Sequence, residues 1–244
     1  MQDYLLIIPS RYKSSRFPGK PLKIINGKTL LQRVYDQCVK AVLKEKIYIA
    51  TDDHRISNYC KFNNINFIMT STKCKTGTDR IFEISKKIKA KIYINVQGDE
   101  PLIEVSNLKK FVNKALQNKE SIMIAKSRIN KKNFYNYNIP KIVTNDNDEL
   151  IYISRSGIPA TKSNKFFKGY GQVNLYSYPI KIFKNKKLYN KKSSIEKVED
   201  IEILRFLEKG FRIKVLSLKS NNHPVDVPHD IKIVEKILKR KKWK

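Results

Sequence analysis

The stretch from Ile7 to Leu22, IIPSRYKSSRFPGKPL, decides the class of fold. It leaves a short apolar run, Tyr4-Leu5-Leu6-Ile7-Ile8, and enters a loop carrying Arg11, Lys13, Arg16 and Lys20, with Pro18-Gly19 before the last lysine. An apolar run of that length beside turn residues predicts a buried strand. A cationic loop at the carboxyl end of a buried strand is where open α/β sheets bind anionic ligands. The loop is not a Walker A loop: no glycine stands five residues before Gly19-Lys20, and Pro21 fills the Ser/Thr place. Four cations within ten residues call for an anionic partner rather than a merely solvated turn.

Outward from this loop, strand and helix patterns alternate. Leu30, Leu31, Val34, Cys38 and Val42 predict a helix from Thr29 to Leu43. A strand over Ile47 to Thr51 ends in Asp52-Asp53, and Asp53 suits the N-cap of the helix that follows. The strand Phe67 to Thr70 leads to Thr76-Gly77-Thr78-Asp79-Arg80 and a helix bearing Ile81, Ile84 and Ile88. Ile92 to Val96 predicts a buried strand ending in Gln97-Gly98-Asp99-Glu100-Pro101. Such repeated units predict an α/β fold with a mostly parallel sheet and right-handed crossovers. Beyond residue 120, short strands are expected at Ile122–Lys126, Lys141–Thr144, Ile151–Ser154, Val173–Tyr178 and Ile213–Leu218, with a last helix from His229 towards Leu238. The polar, lysine-rich excursion Lys162 to Gly171 reads as a flap or a dimer-forming arm.

The 244 residues leave ample length to bury a core. A net charge of +29, from 51 Lys and Arg against 22 Asp and Glu, raises nucleic-acid binding as a reading. The lysines, however, are scattered among Asn and Ile through every segment, and no helix-turn-helix, RRM, KH or zinc-finger pattern occurs. Charge alone supports only non-specific binding. The terminal Lys239 to Lys244 run reads as a frayed, solvated helix end. With no apolar run of 18 residues, no membrane helix is expected. The first residues lack a signal-peptide pattern. Three cysteines, Cys38, Cys60 and Cys74, without CxxC spacing argue for a reducing compartment and against zinc, so the cytoplasm is the expected location.

Three further motifs carry chemistry. Asp99, at a strand end, suits an Mg2+ site built from one or two carboxylates and phosphate oxygens, and would serve equally well as a helix N-cap. Thr76-Gly77-Thr78 offers hydroxyls and backbone N–H groups to a flat ligand, and is also a generic turn before a helix. Asp226, in Val225-Asp226-Val227-Pro228-His229-Asp230, precedes a proline-led helix start where capping alone would explain an acid.

Taken together, the first loop, Asn95-Val96-Gln97-Gly98-Asp99-Glu100-Pro101, the Thr-Gly-Thr-Asp-Arg turn and Val225-Asp226-Val227-Pro228 resemble the 3-deoxy-manno-octulosonate (Kdo) cytidylyltransferase family. Ala50-Thr51-Asp52-Asp53, Lys141-Ile142-Val143, Tyr152-Ile153-Ser154-Arg155 with Ile158-Pro159, and Glu202-Ile203-Leu204-Arg205 match in the same order. The resemblance implies one Rossmann-like domain over 1–244, with a mostly parallel mixed sheet of the nucleotide-diphospho-sugar transferase type and a small dimerisation arm. Its nucleotide-binding part would span about 1–120, its sugar-binding and dimerisation part about 121–220, and its C-terminal helix about 228–242. It further implies a homodimer using CTP, an acidic 3-deoxy-2-keto sugar and Mg2+, whose CMP-Kdo product feeds lipopolysaccharide or capsule synthesis. Carried over residue by residue, Ser10, Arg11, Lys20, Thr76, Gly77, Thr78, Arg80 and Gln97 would contact nucleotide. Arg11, Arg16, Lys20 and Asp99 would serve catalysis, and Asp99 with Asp226 would hold the metal. Arg155, Gln172, Tyr176 and Glu202 would contact sugar.

Two departures bear on the sugar. The usual RH(L/I)G(I/L)Y is here Gly171-Gln172-Val173-Asn174-Leu175-Tyr176, and the usual LEQLR is Ile201-Glu202-Ile203-Leu204-Arg205, so a sugar-facing glutamine has become Ile203. A different acidic sugar, such as 8-amino-Kdo or a nonulosonate, is therefore a second reading. A non-catalytic basic binding protein is a third.

Overall fold

The computed structural model describes residues 1–14, 16–163, 165–185, 188–189, 191–220 and 223–241. The loop quoted above does leave a buried strand, β1 (Gln2–Pro9), whose alternate side chains feed two cores. Leu6 and Ile8 join one apolar cluster and Leu5 and Ile7 the other, all fully buried. Burying side chains of this kind contributes roughly 1.5–3 kcal/mol each. A two-strand ribbon, β2 (Ile24–Ile25) and β3 (Lys28–Thr29), leads to α1 (Leu30–Ala41), which Thr29 caps by accepting from the Gln32 N–H. Strand β4 (Ile47–Thr51) enters α2 (His54–Phe62), and Asp53 caps it by accepting from the Arg55 N–H. Next come β5 (Phe67–Met69), α3 (Gly77–Lys87), β6 (Ala90–Val96), α4 (Val105–Gln117) and β7 (Ile122–Ile129).

The second half holds α5 (Lys131–Phe134), β8 (Lys141–Thr144), β9 (Leu150–Ser154), β10 (Gly169–Pro179), α6 (Ser194–Glu199), α7 (Leu204–Leu207), β11 (Ile213–Leu218) and α8 (Pro228–Lys241). The strands form a nine-stranded sheet in the order β11-β7-β10-β6-β1-β4-β5, with β8 and β9 branching from β10. Strand β1 runs parallel to β4 and β6, and β11 parallel to β7, whereas β10 is antiparallel to both β6 and β7. The sheet is thus mixed, as expected, with β10 as the inverted member. Helices α1, α2, α4 and α8 cover one face, and α3 with the α7 region covers the other.

Two differences from the sequence reading stand out. Strand β10 begins at Gly169, not Val173, so the end of the Lys162–Gly171 excursion is strand paired to β7 through Gly169 and Ile129. Asn164 and residues 242–244, within the expected excursion and helix end, lie outside the described residues. Helix α4 lies outside the elements expected from the sequence, and Leu108, Phe111, Val112 and Ala115 form its buried face.

The topology places the site. From β1 the chain steps through β4 to β5 on one side, then returns to β6 on the other. The loops after β1 and β6 therefore diverge and leave a crevice between them at the carboxyl ends of the strands.

Candidate active site

At that crevice, Gly98 makes the close approach possible. A Cβ there would lie 2.7 Å from the Pro9 carbonyl oxygen and 3.2 Å from Ser10 Oγ, so only glycine lets the β6 loop pack on the end of β1. The packing brings Asp99 beside Lys20. Lys20 follows Gly19, whose φ of +70° is the left-handed region that glycine tolerates. The Gly19 N–H donates to the Tyr12 carbonyl at 2.8 Å and closes the loop. The Tyr12 ring also carries the Arg55 guanidinium 3.4 Å from its centroid, and Arg55 is paired in turn with Asp53.

Lys20 Nζ donates to Asp99 Oδ2 at 3.0 Å, to the Val225 carbonyl at 2.7 Å and to Asp226 Oδ1 at 3.5 Å. Three donors meet three acceptors. Arg16 adds a pairing to Asp226 Oδ1 at 3.3 Å. Neither aspartate caps a helix. The N-cap of α4 is Glu104, beyond Asp99. At α8 the N–H groups of Asp226 and Val227 donate to Asp230 Oδ2, which leaves the Asp226 carboxylate for the crevice. Among the described residues, two buried atoms at this end find no hydrogen-bond partner: Ser10 Oγ and Asp99 Oδ1.

The crevice is lined by Ser10, Arg11, Lys13, Arg16, Lys20, Gly77, Arg80, Gln97, Asp99, Arg155, Gln172, Tyr176, Glu202 and Asp226, so most of the residues singled out in the sequence come together. Thr76 and Thr78 do not. The Thr76 hydroxyl caps α3, accepting from the Asp79 N–H at 3.2 Å, and Thr78 Oγ1 donates to Glu202 Oε2 at 2.5 Å. Arg80 is fully buried and reaches Thr70 Oγ1 and Asp52 Oδ2, with its Nε unpartnered. Lys13 lines the wall with the other loop cations, as do Asn138, Asn174 and Asp200. Asn138 and Asp200 carried no sequence signal, since each lies in an irregular loop.

The far end is knit by the protein's own groups. Arg155 donates from Nε to the Glu199 carbonyl at 2.5 Å, from Nη1 to Tyr137 at 3.0 Å and from Nη2 to Asp200 at 3.1 Å. Gln172 Nε2 donates to the Tyr176 hydroxyl at 2.7 Å. Burial, then the Glu202 charge, raises the Tyr176 pKa well above its ordinary value, so its hydroxyl keeps its proton. Asn174 Nδ2 donates to Glu100 Oε1 at 2.6 Å, tying β10 to the Asp99 loop. Lys141 Nζ donates to the carbonyls of Asn136 and Arg155, and burial followed by the Arg155 charge pulls its pKa down to about 8. Ile203 does not face the crevice. It is fully buried in the apolar cluster with Ile7, Ile81 and Tyr178, which corrects the sugar-facing position expected for it.

Glu202 and Arg205 join this end to the start of α3. The Glu202 carboxylate accepts from the Gly77 N–H at 3.1 Å and the Thr78 N–H at 2.8 Å, closing the first turn of α3. Arg205, buried, bonds Glu196 in a fork, Nε to Oε2 and Nη2 to Oε1, each at 2.8 Å, and reaches Asp79 Oδ1 at 2.7 Å. These two carboxylates hold the Arg205 guanidinium protonated despite its burial.

Comparisons with known proteins agree with this arrangement. A family model described as cytidylyltransferase matches residues 5–215. A 3-deoxy-manno-octulosonate cytidylyltransferase of Thermodesulfovibrio yellowstonii is 36% identical over 250 residues, covering 96% of this chain and 97% of the relative. One from Bacteroides thetaiotaomicron is 38% identical over 252 residues, covering 98% and 99%. The crystal structure of a CMP:2-keto-3-deoxy-manno-octonic acid synthetase complexed with CTP superposes with a TM-score of 0.90 at 29% identity, over 98% of this chain and all of the other.

Proposed function

This chain belongs to the cytidylyltransferase family, and we propose that it activates 3-deoxy-manno-octulosonate with CTP, giving the CMP-sugar and pyrophosphate. The observation that carries the reading is the pair of buried, unpartnered oxygens, Ser10 Oγ and Asp99 Oδ1, beside Lys20 at the strand ends. A buried polar atom left unmade costs roughly 1–3 kcal/mol, which a bound triphosphate or its metal would offset.

In this reading Arg11, Arg16 and Lys20, with Lys13, hold the triphosphate of CTP, and Gly77 and Gln97 flank its base. Arg155 presents its remaining N–H groups to the sugar carboxylate, and Gln172 and Tyr176 line the sugar's polar face. The anomeric hydroxyl attacks the α-phosphorus in line. The new O–P bond forms as the bond to the pyrophosphate bridging oxygen breaks, and the loop cations offset the charge moving onto pyrophosphate. The hydroxyl's proton leaves to solvent.

Family members of this kind use a divalent metal, and the donors here fit Mg2+: two carboxylates directed at one point, with a free Asp99 oxygen. Among the described residues no group of three or more His, Cys, Asp or Glu comes together, which suits an ion completed by water and phosphate oxygens rather than an all-protein cage. Asp99 and Asp226 would hold it, and it would supply Lewis-acid polarisation of the α-phosphate. The protein would act as a homodimer through the arm between β9 and β10, where Phe167 stands exposed. No helix among the described residues is long and apolar enough to cross a membrane, in keeping with the cytoplasmic location proposed here.

The test is pyrophosphate release from CTP with Kdo, 8-amino-Kdo and N-acetylneuraminate, alongside Asp99→Ala. Turnover of Kdo that is lost in the variant supports the reading. Turnover of another sugar alone reassigns the substrate, and silence with all three would favour a non-catalytic binding protein. Light scattering of the native protein tests the dimer.

A further inference from the structure

We infer that Lys20 couples nucleotide binding to metal binding, because its ammonium competes with a divalent cation for the same carboxylate oxygens until a triphosphate draws it away. This rests on the assignment of Asp99 and Asp226 as the metal pair. All three N–H donors of Lys20 are spent on Asp99 Oδ2, Asp226 Oδ1 and the Val225 carbonyl. The three side chains are mostly sheltered, with Lys20 16%, Asp99 23% and Asp226 24% exposed, so water screens the contest weakly.

The position of the lysine is enforced. Gly19 turns the chain in the left-handed region, its N–H bonds the Tyr12 carbonyl, and Lys20 opens a one-turn helix with Pro21 behind it. The opposite wall is fixed as well, since the Val225 N–H donates to the Asp99 carbonyl at 2.9 Å. A dication bound at both aspartates would therefore meet a positive charge held within about one ligand shell of it.

Arg11 and Arg16 sit on the same loop; Arg11 donates to the Lys75 carbonyl at 3.2 Å, and Arg16, with a side chain 60% exposed, shares Asp226 Oδ1 with Lys20 at 3.3 Å. A triphosphate arriving between them offers Lys20 new oxygens and releases the aspartates. Nucleotide and metal would then bind with positive coupling, in that order. By linkage the two affinities rise together, typically about 5- to 150-fold.

The measurement is binding of Mn2+ to the whole protein without nucleotide, read from the free-ion EPR signal. Wild type, Lys20→Met, Lys20→Gln and Lys20→Met combined with Asp99→Asn are compared. Expected is a Kd for Mn2+ about tenfold or more lower in both single variants than in wild type, and lost in the double variant. Adding a non-reactive CTP analogue should tighten wild type more than Lys20→Met and close the gap. Mn2+ should also raise the melting temperature of Lys20→Met more than that of wild type. Equal or weaker Mn2+ binding in the single variants, still dependent on Asp99, overturns the coupling and leaves the proposed function standing. Mn2+ binding that ignores Asp99 in every form, with or without the analogue, overturns both.

Discussion

At the cationic end of the crevice, side chains reach across the chain to meet one another, as Lys20 meets Asp99 and Asp226, while Ser10 Oγ and Asp99 Oδ1 keep bonding capacity in hand. At the end proposed to take the sugar, the polar groups are occupied by the protein: Arg155 by three carbonyls, Glu202 by the α3 N–H groups, Gln172 by Tyr176. One end holds charges ready for a ligand, whereas the other holds a framework that fixes shape. In the proposed reading, cytidylyl transfer uses the former. Discrimination among similar sugars needs the latter, since fixed partners penalise a ligand that fits badly.

The comparison can be broken at either end. Replacing Asp99 by alanine should lower kcat at least about a hundredfold with the fold intact, as checked by steady-state kinetics and circular dichroism. Arg205→Met leaves Asp79 and Glu196 buried and uncompensated, and should cost about 3–5 kcal/mol in urea unfolding while moving kcat little per folded molecule. Tyr12→Ala removes the platform under Arg55 and should raise the KM for CTP about three- to tenfold, whereas Tyr12→Phe should not; a KM for the sugar that rises instead would put Tyr12 with the wrong end.

The smallest effect concerns pH. The Lys141 pKa lies near 8 in the folded chain against an ordinary 10.5, so the unfolded chain binds more protons between those values. Stability from this group therefore rises as pH climbs through that window and is flat below it. Wild type should gain urea resistance from pH 8 to 10 relative to Lys141→Met, and parallel curves would remove Lys141 from the framework.

Much of the cationic end was readable in the sequence because it depends on local patterns. An apolar run, a turn and a cluster of like charges sit side by side in Ile7–Leu22, and Asp53 is as good a cap in the structure as its position suggests. Lys141–Thr144 and Ile213–Leu218 are strands with the ends their apolar patterning implies. Helix α4 had the same legibility and was passed over, since its period is plain at Leu108, Phe111, Val112 and Ala115. What sequence withholds is the choice of partner. Thr78 and Glu202 stand 124 residues apart, and nothing in either segment says that the hydroxyl expected to meet a base is spent on that carboxylate. Ile203 likewise reads as a wall residue only until the short α7 turns it into the core.

Strand β10 carries Gln172, Asn174 and Tyr176 in the middle of the sheet, hydrogen-bonded to β6 on one edge and β7 on the other. Its pairing with β7 breaks register between Val173 and Tyr176, so this central strand already accommodates an irregularity where Asn174 and Leu175 sit. In the proposed reading, sugar preference would shift both through exchange of these side chains and through the shape of that irregularity. Directed evolution of the site should accordingly sample substitutions at these positions together with the length of the Val173–Tyr176 segment.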